Sequence, residues 1–267
     1  MRYSDLHTHT TFSDGIHTVE EMVQEAIRKN MISIGISDHS FTTFDQRYCM
    51  KEHRLQDYLA EIRRVRDLYS DRIEVYAGLE YDGYSDLENR ADFDYVIGSC
   101  HYIKTWDGYH SVDHAKDEQW SAIETYFSKD PMAYAQAYYE TYIQRTYAHR
   151  PDILGHFDVV TKHGFVDENR ADYRRMASEA LLACMEITPI VEINTGPVIR
   201  KWRNSPFPNT FLLKEILAHG GKIIFSSDSH RADTLAGWFH EAGELAKAIG
   251  FKSTMILRNG TFEEIGL

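Results

Sequence analysis

Two rhythms alternate along this chain: short apolar runs suited to strands, and apolar stripes at 3.6-residue spacing suited to helices. Residues 3–7 read as a short strand, and Thr18-Val19-Glu20-Glu21 is a capping-box start for a helix through about Lys29. A strand at 32–37 follows, then a helix over 52–69 with Leu55, Tyr58, Leu59, Ile62 and Val65 at helical spacing. Residues 73–79 and 95–99 read as the third and fourth strands. Next come a helix at 131–148, with Pro131 in a tolerated first-turn position, a strand at 153–155, a helix at 171–185 and a strand at 190–193. A helix at 209–219 ended by Gly220-Gly221, a strand at 222–226, a helix at 237–249 and an apolar segment at 254–257 complete the series.

Strand and helix taking turns predict an α/β fold with a mostly parallel sheet, and about seven successive units favour closure into a barrel. No internal repeat or low-complexity linker divides the chain, so residues 1–267 are expected to form a single domain. Residues 100–130 lose clear periodicity while carrying Trp106, Tyr109, His110, His114 and Trp120. A stretch of that length is expected to be a lid or insertion loop.

Composition narrows the partners. A hydrophobic content of 43% over 267 residues supports a substantial core, and no apolar run approaches the roughly 18–20 residues that span a bilayer. The N-terminus lacks a signal-peptide pattern, so a soluble, cytoplasmic protein with no membrane partner is expected. Cys49, Cys100 and Cys184 are far apart and in no CxxC arrangement, which fits reduced thiols used for packing. The formal net charge of −12 argues against nucleic acid as a partner. A small phosphorylated substrate is compatible with it, because bound metal ions would reverse the field inside a cleft.

The candidate chemistry sits at predicted strand ends, which a parallel barrel gathers at one mouth. His7 and His9 lie two apart, so on an extended strand both imidazoles project to the same side. Asp14 follows them, then His39 in Ser37-Asp38-His39-Ser40 and Glu80 in Ala77-Gly78-Leu79-Glu80. His101 closes Gly98-Ser99-Cys100-His101, His156 lies in Leu154-Gly155-His156-Phe157-Asp158, and Asp228 and His230 lie in Ser227-Asp228-Ser229-His230. Imidazole and carboxylate together suit Zn, Mn or Fe, and nine such groups are too many for one ion. The bland alternative for these residues is a buried hydrogen-bonded network. For Asp5 and Asp38 the choice is between orienting ligand imidazoles and holding turns. Asp113, Asp117 and Glu118 read as a solvated face that could also meet the cationic end of an amino-alcohol phosphate.

These fragments, in this order from Asp5 to His230, resemble the polymerase-and-histidinol-phosphatase superfamily. Asp94-Tyr95-Val96-Ile97-Gly98-Ser99, Leu154-Gly155-His156-Phe157-Asp158, and Glu192-Ile193-Asn194-Thr195 followed by Arg200-Lys201 resemble its histidinol-phosphatase branch. The resemblance implies a distorted (β/α)7 barrel with three divalent metal ions at the C-terminal mouth of the strands. It implies a first metal on His7, His9, Glu80 and Asp228, a second on Glu80, His101 and His156, and a third on Asp14, His39 and His230. The activity it implies is phosphomonoester hydrolysis by a metal-bridging hydroxide, with L-histidinol phosphate as substrate and Glu80, Asp228 and His230 as catalytic groups. Arg200 is the candidate phosphate contact, joined by Lys162 or His163 where the branch leads one to expect arginine. The alternatives are a phosphodiesterase or nuclease of the same superfamily, a phosphatase for another small phosphoester, and a non-catalytic metal-binding module.

Overall fold

The computed structural model of the protein describes residues 3–85 and 90–267. In chain order its elements are β1 (Ser4–Asp5), α1 (Val19–Arg28), β2 (Ser33–Ile36), α2 (Leu55–Leu68), β3 (Glu74–Asp82) and β4 (Tyr95–Ser99). A hairpin of β5 (Tyr102–Thr105) and β6 (Gly108–Ser111) comes next, then α3 (Lys116–Tyr126), α4 (Pro131–His149), β7 (Ile153–Leu154) and α5 (Ala171–Met185). The chain ends with β8 (Ile190–Asn194), α6 (Gly196–Ile199), α7 (Thr210–Ala218), β9 (Lys222–Ser226), α8 (Phe239–Ile249), β10 (Ser253–Arg258) and β11 (Thr261–Gly266).

Helix α1 begins as its sequence predicts: the Glu21 amide donates to Thr18 Oγ1 while the Thr18 amide donates to the Glu21 carboxylate. The residues at 100–130 depart from the expected loop. They form the β5–β6 hairpin and α3, so the stretch is ordered by its own backbone hydrogen bonds.

The main sheet runs β1-β2-β3-β4-β7-β8-β9-β10-β11, parallel throughout except for β11, which pairs antiparallel with β10. It curls until its first strand meets β9. Just past β1 and β9, Thr8 bridges Ser229: the His9 amide donates to Ser229 O at 2.9 Å and the Ser229 amide to His7 O at 3.2 Å. The alternation of strand and helix lapses between β3 and β4, whose link contains no α-helix among the described residues.

Inside the curl, Leu6, Tyr76, Tyr95, Ile97, Ile153, Ile190 and Ile224 form one buried cluster with Met255 and Leu257 of β10. The β10–β11 hairpin closes the end where the strands begin: Ser33 Oγ donates to Leu257 O at 2.7 Å, and the Gly260 amide to Tyr76 Oη at 3.0 Å. Two larger apolar clusters fill the space between sheet and helices. With one end of the curl packed by side chains, the mouth at the strand C-termini is left for chemistry.

Candidate metal centre

Each mouth residue is aimed by the end of its strand. The chain stays extended beyond β1, so His7 and His9 face the mouth while Thr8 turns away and donates from Oγ1 to Gly35 O at 2.7 Å. His39 and Glu80 bridge each other just past β2 and within β3. Asp228 adopts a left-handed backbone with φ 51°, a region that aspartate tolerates better than most residues. Asp38 accepts from the amides of Thr10 and Ser13, and Asp5 from those of Ser227 and Ala236. Both carboxylates therefore hold turns rather than imidazoles.

Glu80 is the hub. Its Oε2 lies 2.7 Å from His39 Nδ1, 3.2 Å from His7 Nε2 and 3.5 Å from His9 Nε2. Its Oε1 lies 2.9 Å from His156 Nε2 and 3.3 Å from His101 Nε2, and accepts from Ser99 Oγ at 2.6 Å. Asp228 Oδ1 sits 3.3 Å from His9 Nε2 and 3.6 Å from His230 Nδ1, while Asp14 Oδ1 is 3.3 Å from His230 Nε2 and 3.7 Å from His39 Nε2. All nine residues singled out in the sequence thus converge. They form four overlapping groups: His7, His9 and Asp228; His7, Glu80 and His156; His39, Glu80 and His101; and His9, Asp14, His39 and His230.

The geometry suits cations better than a closed hydrogen-bond network. Donors at about 2.1 Å around a tetrahedral ion stand roughly 3.4 Å apart, and the contacts here run from 2.7 to 3.9 Å around that value. The buried atoms His7 Nε2, His9 Nδ1, His9 Nε2 and Glu80 Oε2 make no well-aligned hydrogen bond despite the close ion-pair neighbours of three of them, a costly arrangement unless something else binds them. Burial would raise the Glu80 carboxyl, yet the imidazoles of His7, His39 and His101 hold it well below the usual carboxylate range. Burial, with His230 and His39 nearby, pushes His9 down to about 3, leaving a neutral imidazole of the kind that ligates metal.

A cleft of about 360 Å³ opens over this cluster. Lys162 and Arg200 line it, and His163 does not. Burial and the neighbouring Lys162 lower the His163 pKa. Arg200 donates from Nη2 to Asp228 Oδ2 and from Nη1 to Asp228 O, both at 2.7 Å. Lys162 donates to Asp113 O and lies 3.7 Å from the Asp113 carboxylate. Asp113 lines the cleft, whereas Asp117 and Glu118 face a separate groove. His114, from the stretch expected as a lid or insertion, also lines it, as do Tyr48, Trp202 and Phe207, unforeseen from the sequence.

Two orienting carboxylates were also missed. Glu192 accepts from His7 Nδ1 at 2.8 Å and from the His156 amide, and Asp82 accepts from the His101 amide at 3.1 Å with His101 Nδ1 3.3 Å away. A charged residue inside the otherwise apolar Ile190-Val191-Glu192-Ile193 run was the available signal for Glu192.

A curled parallel sheet gathering imidazoles and carboxylates from six strand ends defines an α/β protein built around a centre for divalent metals. The chain belongs to the PHP domain family, which it matches over residues 5–196. It is 25% identical over 268 residues to the histidinol-phosphatase of Bacillus subtilis, covering 91% of this chain and 98% of that one. A solved structure from Listeria monocytogenes superposes with a TM-score of 0.77 at 21% identity, covering 89% of this chain and 99% of that one. Histidinol phosphate phosphatase from Lactococcus lactis, solved with Zn, L-histidinol and phosphate, superposes with a TM-score of 0.71 at 22% identity, covering 98% and 99%. Among the described residues no helix is long and apolar enough to cross a membrane.

Proposed function

We propose that this chain is a metal-dependent phosphomonoesterase that hydrolyses L-histidinol phosphate to L-histidinol and phosphate. The observation that carries the reading is one cleft with an imidazole–carboxylate cluster at its floor and two cationic side chains, Lys162 and Arg200, on its wall. Near-full-length similarity to the Bacillus subtilis relative supports the substrate.

His7, His9, Glu80 and Asp228 would hold one ion, His101 and His156 a second sharing Glu80, and Asp14, His39 and His230 a third, with Zn, Mn and Fe as the metals that this donor set accepts. Divalent ions so held supply Lewis acidity and water activated at neutral pH. The protein's own groups do the rest. Lys162 and Arg200 neutralise phosphate charge, Arg200 through a planar fork and Lys162 as a point charge. Glu80 and Asp228 balance the charge of the centre. Protonation of the leaving alkoxide would fall either to His230, 28% exposed at its side chain and 3.4 Å from Arg200, or to water held at the centre. Asp113 and His114 bring the 100–130 insertion to the cleft wall. Such an enzyme would act in histidine biosynthesis in the cytoplasm.

The test is phosphate release from L-histidinol phosphate beside a panel of small monoesters and diesters, with protein reconstituted separately with Zn, Mn and Fe. A strong preference for histidinol phosphate is expected. Preference for another monoester would discard the substrate, and silence across the panel with metal bound would leave a non-catalytic module.

A further inference from the structure

The two cations on the cleft wall share one aromatic neighbour. Lys162 comes from the turn after β7 and Arg200 from the end of α6, yet Lys162 Nζ lies 3.8 Å and Arg200 Cζ 4.4 Å from the ring centroid of Trp202. The ring is held in place by its backbone: Lys201 turns the chain through φ 59°, and the Trp202 amide donates to Pro197 O at 2.8 Å. Trp202 remains 48% exposed, unlike Trp120 and Trp238, which pack against the core. A tryptophan left half in solvent, at the cleft, against two positive charges, is placed for those charges rather than for the core.

We propose that Trp202 is the positioning residue that holds Lys162 and Arg200 together at the phosphate end of the substrate. Two like charges sharing a cleft repel, and the electron-rich face of an indole attracts both. Arg200 has a second anchor in a two-bond fork to Asp228, and Lys162 has one in Asp113, but a flexible stem ending in a point charge leaves the direction of Lys162 less fixed, so it gains most from the ring. A phosphomonoester dianion would then meet two cations already convergent and lose less freedom on binding. The inference rests on the phosphomonoesterase reading.

The experiment compares metal-loaded wild type, Trp202→Leu and Trp202→Phe. Inorganic phosphate binding is measured by calorimetry and by tryptophan fluorescence, beside KM and kcat for histidinol phosphate. Trp202→Leu is expected to weaken phosphate binding and raise KM by about tenfold, the scale of a lost cation–π contact, with kcat reduced less than about threefold. Trp202→Phe, which restores an aromatic face, is expected to recover both to within about threefold while abolishing the phosphate-induced change in tryptophan emission. Since Trp202 is half exposed, Trp202→Leu should fold and keep its metal content. Wild-type phosphate affinity in Trp202→Leu, equal impairment of both variants, or a loss confined to kcat would each overturn the proposal. Wild type that binds no phosphate at all would sink the functional reading itself, and this inference with it.

Discussion

Glu192 shows how much of a metal centre lies one bond behind the ligands. Its Oε2 accepts from His7 Nδ1 and from Ser226 Oγ, and its Oε1 from the His156 amide and Asn194 Nδ2. With Nδ1–H committed, the free Nε2 of His7 faces Glu80 and Asp228. In Glu192→Gln an amide NH2 replaces one acceptor in this fully donated ring of contacts, so His7 loses its fixed tautomer. Metal retention is expected to fall roughly 10–100-fold with cooperative unfolding preserved, read as metal content after a chelator challenge. Undiminished retention would remove Glu192 from that role. The nine candidates that converge at the mouth were legible because imidazoles and carboxylates recur after one predicted strand after another, although Asp5 and Asp38, similarly placed, hold turns. Glu192 was not, since its partner lies 185 positions away. Cys184 illustrates the opposite case, a residue whose chemistry is suppressed. Burial pushes the Cys184 thiol up to about 12, and a raised pKa means less thiolate at every pH below it, on the order of one part in ten thousand at pH 8. A chromogenic thiol reagent should therefore spare Cys184 in the native protein and modify it promptly in denaturant; fast native reaction at this site would contradict the packing.

Elements were readable where apolar burial sets them, on one face of α5 and on both faces of β4 and β9, whose bounds match the sequence pattern or nearly so. Helix α3 escaped because its buried face includes Gln119, which donates to Val112 O at 2.8 Å and Val160 O at 3.0 Å, while apolar Trp120 stays partly exposed. Strand β11 escaped because none of its residues is buried and it pairs only with β10. In both, a hydrogen-bond partner rather than an apolar period sets the structure. The sheet interior gives the element-scale prediction. Tyr95 is fully buried and donates its hydroxyl to Leu6 O, across the inside of the curl. A methyl at Gly35 of β2 or Gly78 of β3 would run into the Tyr95 ring and hydroxyl. Gly78→Ala is expected to cost about 1–3 kcal/mol as an overpacked core does, seen as a lower urea midpoint at unchanged slope. The exposed cap at Thr18 sets the comparison, since Thr18→Ala should cost only about 1 kcal/mol. A Gly78→Ala variant no less stable than Thr18→Ala would show that Tyr95 yields.

At the scale of the whole molecule, the first and last motifs of the chain are neighbours because the curl joins them at Thr8 and Ser229. The linear order of the motifs made that closure expected, but only the strand pairing shows that it runs through two hydrogen bonds beyond the ends of β1 and β9. Any ion in the centre would therefore tie together strand ends from opposite ends of the sequence. Binding of this kind stabilises the native state alone, by about 2.7 kcal/mol per site when free metal is a hundredfold above the dissociation constant. Calorimetry at rising free Zn is expected to show one unfolding transition moving upward as a whole, with no separate melting of the β1 region. Removal of metal by a chelator should reverse the shift. Metal binding competes with protons for imidazole. Burial opposes charge on His7 and His101, but Glu80 lifts both well above the ordinary imidazole value, so the gap between loaded and stripped protein should narrow as pH falls, beginning above about 6.5. A melting temperature indifferent to metal would argue that the imidazoles and carboxylates satisfy one another without an ion. The buried atoms of His7, His9 and Glu80 that make no well-aligned hydrogen bond stand against that outcome.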